Sequence, residues 1–211
     1  MLIVFDLDGT LIDSSKDLAI SMNATREHLG MDPIAPELVY SFVGNGIRVL
    51  VERALGPEAT PELVERGHRF FLSHYQEHAV DNTHLYPGIG EMIQQLTQSH
   101  RLAILTNKPT FLADEIARAL QLTAYFDRIY GGDSFPAKKP DPMGLLTLME
   151  ELKTPAEETL MVGDSGVDVR TAQNAGVKSC GVQWGFQPDS LAASNPDVLI
   201  DRPEQIFSYT L

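Results

Sequence analysis

Short apolar runs that alternate with helical patterns constrain this 211-residue chain more than any other feature. Four runs are rich in branched residues: LIVF (2–5), LAIL (102–105), TLMV (159–162) and SCGV (179–182). Weaker candidates lie at 128–130 and 198–200, and helical patterns cover 88–98, 109–120, 142–152 and 165–175. Continuous apolar runs predict strands buried on both faces. Their alternation with helices predicts an α/β fold, a doubly wound, Rossmann-like parallel sheet.

The stretch 14–81 breaks this alternation, because it offers helical patterns and no convincing strand. Helices are predicted at 15–29, 36–42, 46–55 and 61–79. Ser14 and Asp17 have the spacing of a capping box for the first of these helices. We therefore expect a helical insertion at 14–81 within a core domain formed by 1–13 and 82–211.

Composition narrows the class of partner. The formal net charge of −13 argues against nucleic acid and against an anionic membrane surface, since both require basic patches. The first apolar run is only four residues long and has no basic stretch before it, so it predicts neither a signal peptide nor a membrane span. A single cysteine, Cys180, rules out an internal disulfide and fits a reducing compartment. We expect a cytoplasmic protein with a small-molecule partner.

Polar clusters follow three of the strongest strands at their carboxyl ends. Asp6-Leu7-Asp8-Gly9-Thr10 follows the first, Thr106-Asn107-Lys108 the second and Gly163-Asp164-Ser165 the third. Ligands of open α/β sheets bind at this edge, so three clusters far apart in sequence are expected to form one crevice.

The predicted crevice is rich in carboxylates. It would hold Asp6, Asp8, Asp164 and Asp168, and so many carboxylates require a hard cation, for which Mg²⁺ is the best match. Thr106 could bind a phosphate oxygen beside a helix start. One of two adjacent lysines, Lys138 or Lys139, would offset the repulsion among the carboxylates. The sequence therefore predicts a site for magnesium and a phosphorylated ligand.

The complete set of motifs resembles the haloacid dehalogenase superfamily of phosphohydrolases. The four motifs stand in the family's order: Asp6-x-Asp8-Gly9-Thr10, Thr106-Asn107, Lys139-Pro140 and Gly163-Asp164-Ser165-x-x-Asp168. The resemblance implies that Asp6 is the nucleophile and that Asp8 is the acid and base. It also implies that the helical insertion at 14–81 is the family's cap domain, with Asp13 in the hinge that leads into it.

The same resemblance assigns the remaining site residues. It implies Mg²⁺ ligands from Asp6, the backbone carbonyl of Asp8 and Asp164, with Asp168 holding a metal-bound water. Thr106 and the Asn107 backbone would bind phosphoryl oxygens, and Lys139 is favoured over Lys138.

A narrower resemblance concerns the substrate. FVGNGIRVLVERAL (42–55) and GGDSFPAKKPDP (131–142) are similar to the phosphoglycolate phosphatase subfamily, which implies 2-phosphoglycolate as the substrate. Arg48 would then meet the substrate carboxylate. A pyrophosphatase, a broad sugar-phosphate phosphatase, a phosphoglucomutase-like mutase and an inactive phospholigand-binding protein stay open as alternatives. The oligomeric state is left open too.

Overall fold

The core of the protein, in a computed structural model that describes residues 1–210, is one six-stranded parallel sheet. The strands of the chain are β1 (Leu2–Phe5), β2 (Ile12–Asp13), β3 (His84–Leu85), β4 (Arg101–Leu105), β5 (Arg128–Tyr130), β6 (Thr159–Gly163), β7 (Lys178–Val182) and β8 (Val198–Ile200). The sheet order is β5-β4-β1-β6-β7-β8. The chain crosses from one side of β1 to the other, so the switch point lies there. The predicted α/β class is confirmed.

Strand β1 is central because its side chains are apolar on both faces. Ile3 and Phe5 pack into one hydrophobic cluster, and Leu2 and Val4 pack into the other. All four are at most 1% exposed. A strand buried in this way requires a continuous apolar run rather than alternation, which is the pattern seen in the sequence.

Four helices lie between β2 and β3: α1 (Ser15–His28), α2 (Pro36–Ser41), α3 (Ile47–Leu55) and α4 (Pro61–His78). Thr60 caps α4 by accepting a hydrogen bond from the Leu63 N–H, and Pro61 occupies the first turn. A Cβ on Gly67 would come within 3.1 Å of Val51 and of Leu55, so glycine lets α4 approach α3 closely. All four helices begin and end within one residue of the predicted bounds.

The two segments that join these helices to the sheet pair with each other as the antiparallel strands β2 and β3. The buried Asp17 carboxylate in α1 accepts five hydrogen bonds of 2.7–3.1 Å from Asn82 and Thr83, just before β3. The predicted capping box of Ser14 and Asp17 is therefore wrong. The Ser14 side chain forms no cap hydrogen bond, because it donates to Asp8 instead.

The remaining helices flank the sheet: α5 (Ile89–Leu96), α6 (Thr110–Ala119), α7 (Met143–Glu151), α8 (Gly166–Ala175) and α9 (Pro188–Ala192). Two 3₁₀ helices cover Ala156–Glu158 and Pro203–Tyr209. Helix α8 ends at Gly176 with φ of 70°, a left-handed cap that favours glycine. Among the helices described, none combines the length and the apolar character needed to cross a bilayer.

Candidate active site

The turn after β1 brings two aspartates to the carboxyl edge of the sheet. The Asp6 N–H still donates to Val162 in the neighbouring strand at 2.9 Å, so Asp6 continues the sheet. The chain then turns at Gly9, which has φ of 81°. A Cβ on Gly9 would lie 2.3 Å from a carboxylate oxygen of Asp164, so both the backbone conformation and the close approach require glycine.

An acidic cluster forms where β1 and β6 end. Asp6, Asp164 and Asp168 each offer an oxygen atom, and these atoms lie within 4.8 Å of one another. All three side chains are buried. Asp168 also closes the capping box of α8, since its Oδ2 accepts hydrogen bonds from the Ser165 N–H and hydroxyl. One residue therefore serves both the helix start and the cluster.

Lys139 joins two members of the acidic cluster. Its Nζ lies 2.9 Å from Asp6 Oδ1 and 2.6 Å from Asp168 Oδ1. Lys139 is buried, whereas Lys138 is exposed. Burial lowers the pKa of Lys139, but Asp168 and Asp6 outweigh it and hold that pKa above its ordinary value. The lysine thus remains a buried cation.

The carboxylates are held in an environment that opposes their charge. Burial raises the pKa of Asp6 to about 6, against the opposing effect of Lys139 and with a further increase from Asp168. Burial, followed by Asp168 and Asp6, raises the pKa of Asp164 well above its ordinary value. The Phe186 N–H, 2.7 Å from Asp164 Oδ2, counteracts this only in part. The cluster therefore needs more positive charge than the protein supplies.

A divalent cation fits this deficit. The site brings together four buried carboxylates, Asp6, Asp8, Asp164 and Asp168, and two buried lysines, Lys108 and Lys139. Two negative charges are left uncompensated, and every side-chain donor of the cluster is oxygen, the ligand set that suits Mg²⁺. Asp6, Asp164 and Asp168 could hold such an ion. The Asp8 side chain is not part of this group.

The Asp8 side chain points into a separate hydrogen-bond network. Its Oδ1 accepts from the Ser14 hydroxyl at 2.5 Å and from Lys108 Nζ at 2.9 Å. Lys108 Nζ also donates to the hydroxyl of Tyr75 in α4 at 2.9 Å and lies 4.7 Å from the centre of that ring. Asp8 is thereby oriented by groups from both sides of the crevice.

Burial also acts on this network. It lowers the pKa of Lys108, but Asp8 and Tyr75 outweigh it and raise that pKa above its ordinary value. Burial raises the pKa of Tyr75 to about 12, although Lys108 opposes the increase. The network therefore contains a charged lysine and a neutral phenol at neutral pH.

Thr106 and Asn107 follow β4 and are both buried. The Asn107 side-chain amide donates to the Gly44 carbonyl before α3 at 2.9 Å and to the Lys139 carbonyl at 3.0 Å. Its Oδ1 has no hydrogen-bond partner within residues 1–210. Asn107 thus ties the sheet to the inserted helices while leaving one acceptor open.

A cavity of about 30 Å³ lies between the sheet edge and the inserted helices. Its polar wall is formed by Asp6, Asp8, Thr106, Asn107 and Lys108, and its other wall by Leu18, Val43, Gly44, Gly46, Ile47 and Leu50. One water molecule requires roughly 10–15 Å³ by this measure, so the cavity has room for about two. The arrangement can enclose a small polar ligand between carboxylates and an apolar lid.

The structure brings together seven of the eight predicted site residues: Asp6, Asp8, Thr106, Asn107, Lys139, Asp164 and Asp168. Arg48 is the exception. Its side chain is 54% exposed and forms an ion pair with Glu65 at 2.8 Å, and it does not line the cavity. Arg48 lies on the outward face of α3, whereas Ile47 and Leu50 on the same helix face inward.

The sequence analysis assigned no role in the site to Lys108, Tyr75 or Ser14. Lys108 directly follows Thr106-Asn107, so its place at a strand end was a usable signal. Ser14 was assigned to a helix cap that does not form. Tyr75 had no local signal, because its contact with Lys108 spans 33 residues.

Comparison with known proteins is consistent with this geometry. A phosphoglycolate phosphatase of Vibrio parahaemolyticus is 40% identical to the chain over 98% of this chain and 94% of its own length. One of Chromobacterium violaceum is 44% identical over 87% of this chain and 85% of its own. A crystal structure of a predicted phosphoglycolate phosphatase from Haemophilus somnus superposes with a TM-score of 0.93 at 33% identity. The superposition covers 100% of this chain and 97% of that one.

The match that assigns the chain to a family covers most of its length. The sequence model of the haloacid dehalogenase-like hydrolases matches residues 3–182, which contain every residue of the acidic cluster and of the Asp8 network. The motifs that the model spans are the ones that meet at the carboxyl edge of the sheet. The chain therefore belongs to the haloacid dehalogenase-like hydrolase family.

Proposed function

We propose that this hydrolase is a Mg²⁺-dependent phosphomonoester hydrolase that acts through an aspartyl-phosphate on Asp6, with 2-phosphoglycolate as its substrate. The observation that carries the proposal is the separation of the two aspartates after β1. Asp6 pairs with Lys139 in the acidic cluster, whereas Asp8 belongs to a different network with Ser14 and Lys108. Two carboxylates so close in sequence with such different surroundings support two different roles.

Asp6 would attack the phosphorus atom and form the aspartyl-phosphate. A carboxylate that approaches a phosphate dianion meets repulsion between like charges. Lys139, 2.9 Å from Asp6, supplies a fixed positive charge that orients the nucleophile and stabilises charge on the transferred group. When bound by Asp6, Asp164 and the Asp8 carbonyl, the metal ion would neutralise charge on the phosphoryl oxygens.

Asp8 would carry the proton in both halves of the reaction. As a carboxylic acid it would protonate the leaving oxygen, and as a carboxylate it would remove a proton from the water that hydrolyses the aspartyl-phosphate. The Ser14 hydroxyl and Lys108 hold its Oδ1, which leaves Oδ2 for the substrate or water. Thr106 and the backbone of Asn107 would bind phosphoryl oxygens, and Asp168 would orient Lys139 and a metal-bound water.

The cavity supports a small leaving group. Its wall of Leu18, Val43, Ile47 and Leu50 offers no polar side chain to the several hydroxyl groups of a sugar. The curated relatives at 40% and 44% identity are phosphoglycolate phosphatases. Glycolate is a leaving group of two carbons, so these observations together favour 2-phosphoglycolate over sugar phosphates.

Substrate entry would require the wall formed by the helices to move, because a cavity of about 30 Å³ is smaller than a phosphomonoester. We infer that residues 14–81 act as a cap that opens about the segments around 13–15 and 80–84, where β2 and β3 pair.

The proposed partner is a small phosphorylated metabolite, and the net negative charge of the chain counts against nucleic acid. The buried free thiol of Cys180 is compatible with the cytoplasm.

The test is a panel of small phosphomonoesters, pyrophosphate and glucose 1-phosphate, assayed for free phosphate with and without Mg²⁺. We expect phosphate release from 2-phosphoglycolate that chelation abolishes and Mg²⁺ restores. Asp6→Asn should lower kcat by about 10³-fold or more. Asp32→Asn, at an exposed aspartate in the loop after α1, is the control and should leave kcat unchanged.

Each alternative has its own outcome in the same panel. An isomerised sugar phosphate without free phosphate would identify a mutase, and a preference for pyrophosphate or a sugar phosphate would refute only the assigned substrate. Activity of wild-type protein no higher than that of Asp6→Asn on every compound would refute the enzyme and leave a phospholigand-binding protein.

A further inference from the structure

We propose that Lys108 is the specificity-determining residue of the site, binding an anionic carboxylate on the leaving group of the substrate. This inference rests on the proposed function, because it concerns the part of the substrate that the phosphoryl-binding residues do not touch. It assigns to Lys108 a role that the sequence motifs do not contain.

The first support is the charge distribution along the cavity wall. Among the described residues that line this cavity, Lys108 is the one cationic side chain. Arg48, the cation that the sequence suggested for this role, is directed to solvent and paired with Glu65. The inserted segment contributes apolar side chains and two glycines to the wall. A carboxylate in this cavity therefore has Lys108 as its side-chain countercharge.

The second support is the hydrogen-bond capacity of Lys108. An ammonium group has three N–H donors. Two are used in the structure, by Asp8 Oδ1 and by the Tyr75 hydroxyl, each at 2.9 Å. The third has no acceptor within the described part of the chain. A buried lysine at a cavity wall with one unused donor is suited to bind an anionic oxygen.

The third support is how rigidly the ammonium group is held. Tyr75 is fully buried in α4, and its ring stacks on Phe71 at 5.4 Å between ring centres. Tyr75 therefore anchors Lys108 from the inserted helices, while Asp8 anchors it from the sheet. A lysine fixed on both sides loses little conformational entropy on binding a ligand, which strengthens discrimination between ligands. Tyr75 is a positioning residue in this scheme.

Lys108 also touches Asp8, so a rival role must be separated from this one. If Lys108 served only to orient Asp8, its loss would slow every phosphomonoester by the same factor. If it binds the substrate carboxylate, its loss must lower kcat/KM more for substrates that have a carboxylate than for those that lack one. The ratio of kcat/KM between two substrates distinguishes the roles, because a uniform effect on catalysis cancels.

The experiment compares 2-phosphoglycolate with 2-hydroxyethyl phosphate, which is similar in size and neutral in the leaving group. We expect Lys108→Met to lower the ratio of their kcat/KM values about 10- to 100-fold, the value of a hydrogen bond between charged groups. Tyr75→Phe keeps the charge and removes the anchor, so it should lower the ratio less and mainly through KM for 2-phosphoglycolate. Lys178→Met, at an exposed lysine, is the matched control and should leave the ratio unchanged.

Binding supplies a readout that does not depend on turnover. In an Asp6→Asn background with Mg²⁺, calorimetry should show that Lys108→Met weakens the binding of 2-phosphoglycolate by a similar factor. The binding of 2-hydroxyethyl phosphate should weaken much less. Equal losses for both compounds would overturn the assignment, and so would a selective loss in Arg48→Gln instead of Lys108→Met. Failure of the proposed function looks different, because wild-type protein would then not hydrolyse 2-phosphoglycolate at all.

Discussion

Asp17 offers the sharpest test of how the inserted helices are joined to the sheet. Its carboxylate is 1% exposed and receives no cation, yet it accepts five hydrogen bonds from Asn82 and Thr83. Three of these donors are N–H groups and one is a hydroxyl. Asp17→Asn replaces one acceptor oxygen by an NH₂ donor that faces other donors, while the shape of the side chain is preserved.

The expected cost follows from the number of bonds that this change breaks. Each carboxylate oxygen accepts at least two of the five hydrogen bonds, so two or three are lost. At about 1 kcal/mol net for each, with a buried donor left unpaired, we expect a loss of about 2–4 kcal/mol in the free energy of unfolding. For a chain of this length that corresponds to a decrease of roughly 4–16 °C in Tm.

The pH dependence gives an independent check with a defined sign. Burial raises the pKa of Asp17, but the hydrogen bonds from Asn82 and Thr83 outweigh it and hold that pKa below its ordinary value. A carboxylate with a depressed pKa stabilises the fold fully above its unfolded pKa of about 3.9 and loses that contribution as pH falls through the folded value. The difference between wild type and Asp17→Asn should therefore be constant from about pH 5 upward and shrink below about pH 4.

The assay is urea unfolding of both proteins from pH 7 to the lowest pH at which they fold. Asp32→Asn, at an exposed aspartate, is the matched control and should change stability by less than about 0.5 kcal/mol. Limited proteolysis at pH 7 should show faster cleavage near residues 80–84 in Asp17→Asn. A stability difference below about 1 kcal/mol, or one that does not shrink at acid pH, would refute the assigned role of the carboxylate.

Two further predictions concern the acidic cluster. Gly9→Ala should abolish activity and lower Tm, because its Cβ would meet Asp164 at 2.3 Å and φ is 81°; Gly30→Ala, also at positive φ but with open space around it, should cost stability alone. Asp164→Asn should raise the Mg²⁺ concentration for half-maximal activity about tenfold or more, measured by titration after chelation. Normal activity in Gly9→Ala, or an unchanged Mg²⁺ requirement in Asp164→Asn, would contradict the geometry.

The elements were predictable because their signals are local. The branched apolar run at 2–5 and the helical patterns at 15–29 and 61–79 end within one residue of the observed bounds, since burial on both faces or on one helical face restricts which residues can occur there. The convergence of Asp6, Thr106 and Asp164 was equally predictable. Parallel strands end at the same edge of a sheet, so residues that follow them must meet.

Interactions between distant segments were not predictable in this way. Ser14 and Asp17 have the spacing of a capping box, but partners 6 and 65 residues away compete for them and prevail. Arg48 was assigned from its neighbourhood in sequence. Successive residues of a helix point about 100° apart, so Ile47 faces the cavity whereas Arg48 faces solvent.

The division between local and tertiary information has a physical basis. Periodicity and residue type predict which side chains are buried, and polar residues at strand ends indicate where a site can form. Both signals lie within a few neighbouring positions of the sequence. The partner of a buried charge is chosen by the packing of the whole chain. Lys108 meets Asp8 from 100 residues away and Tyr75 from the inserted helices, so only the folded protein assigns it to the cavity wall.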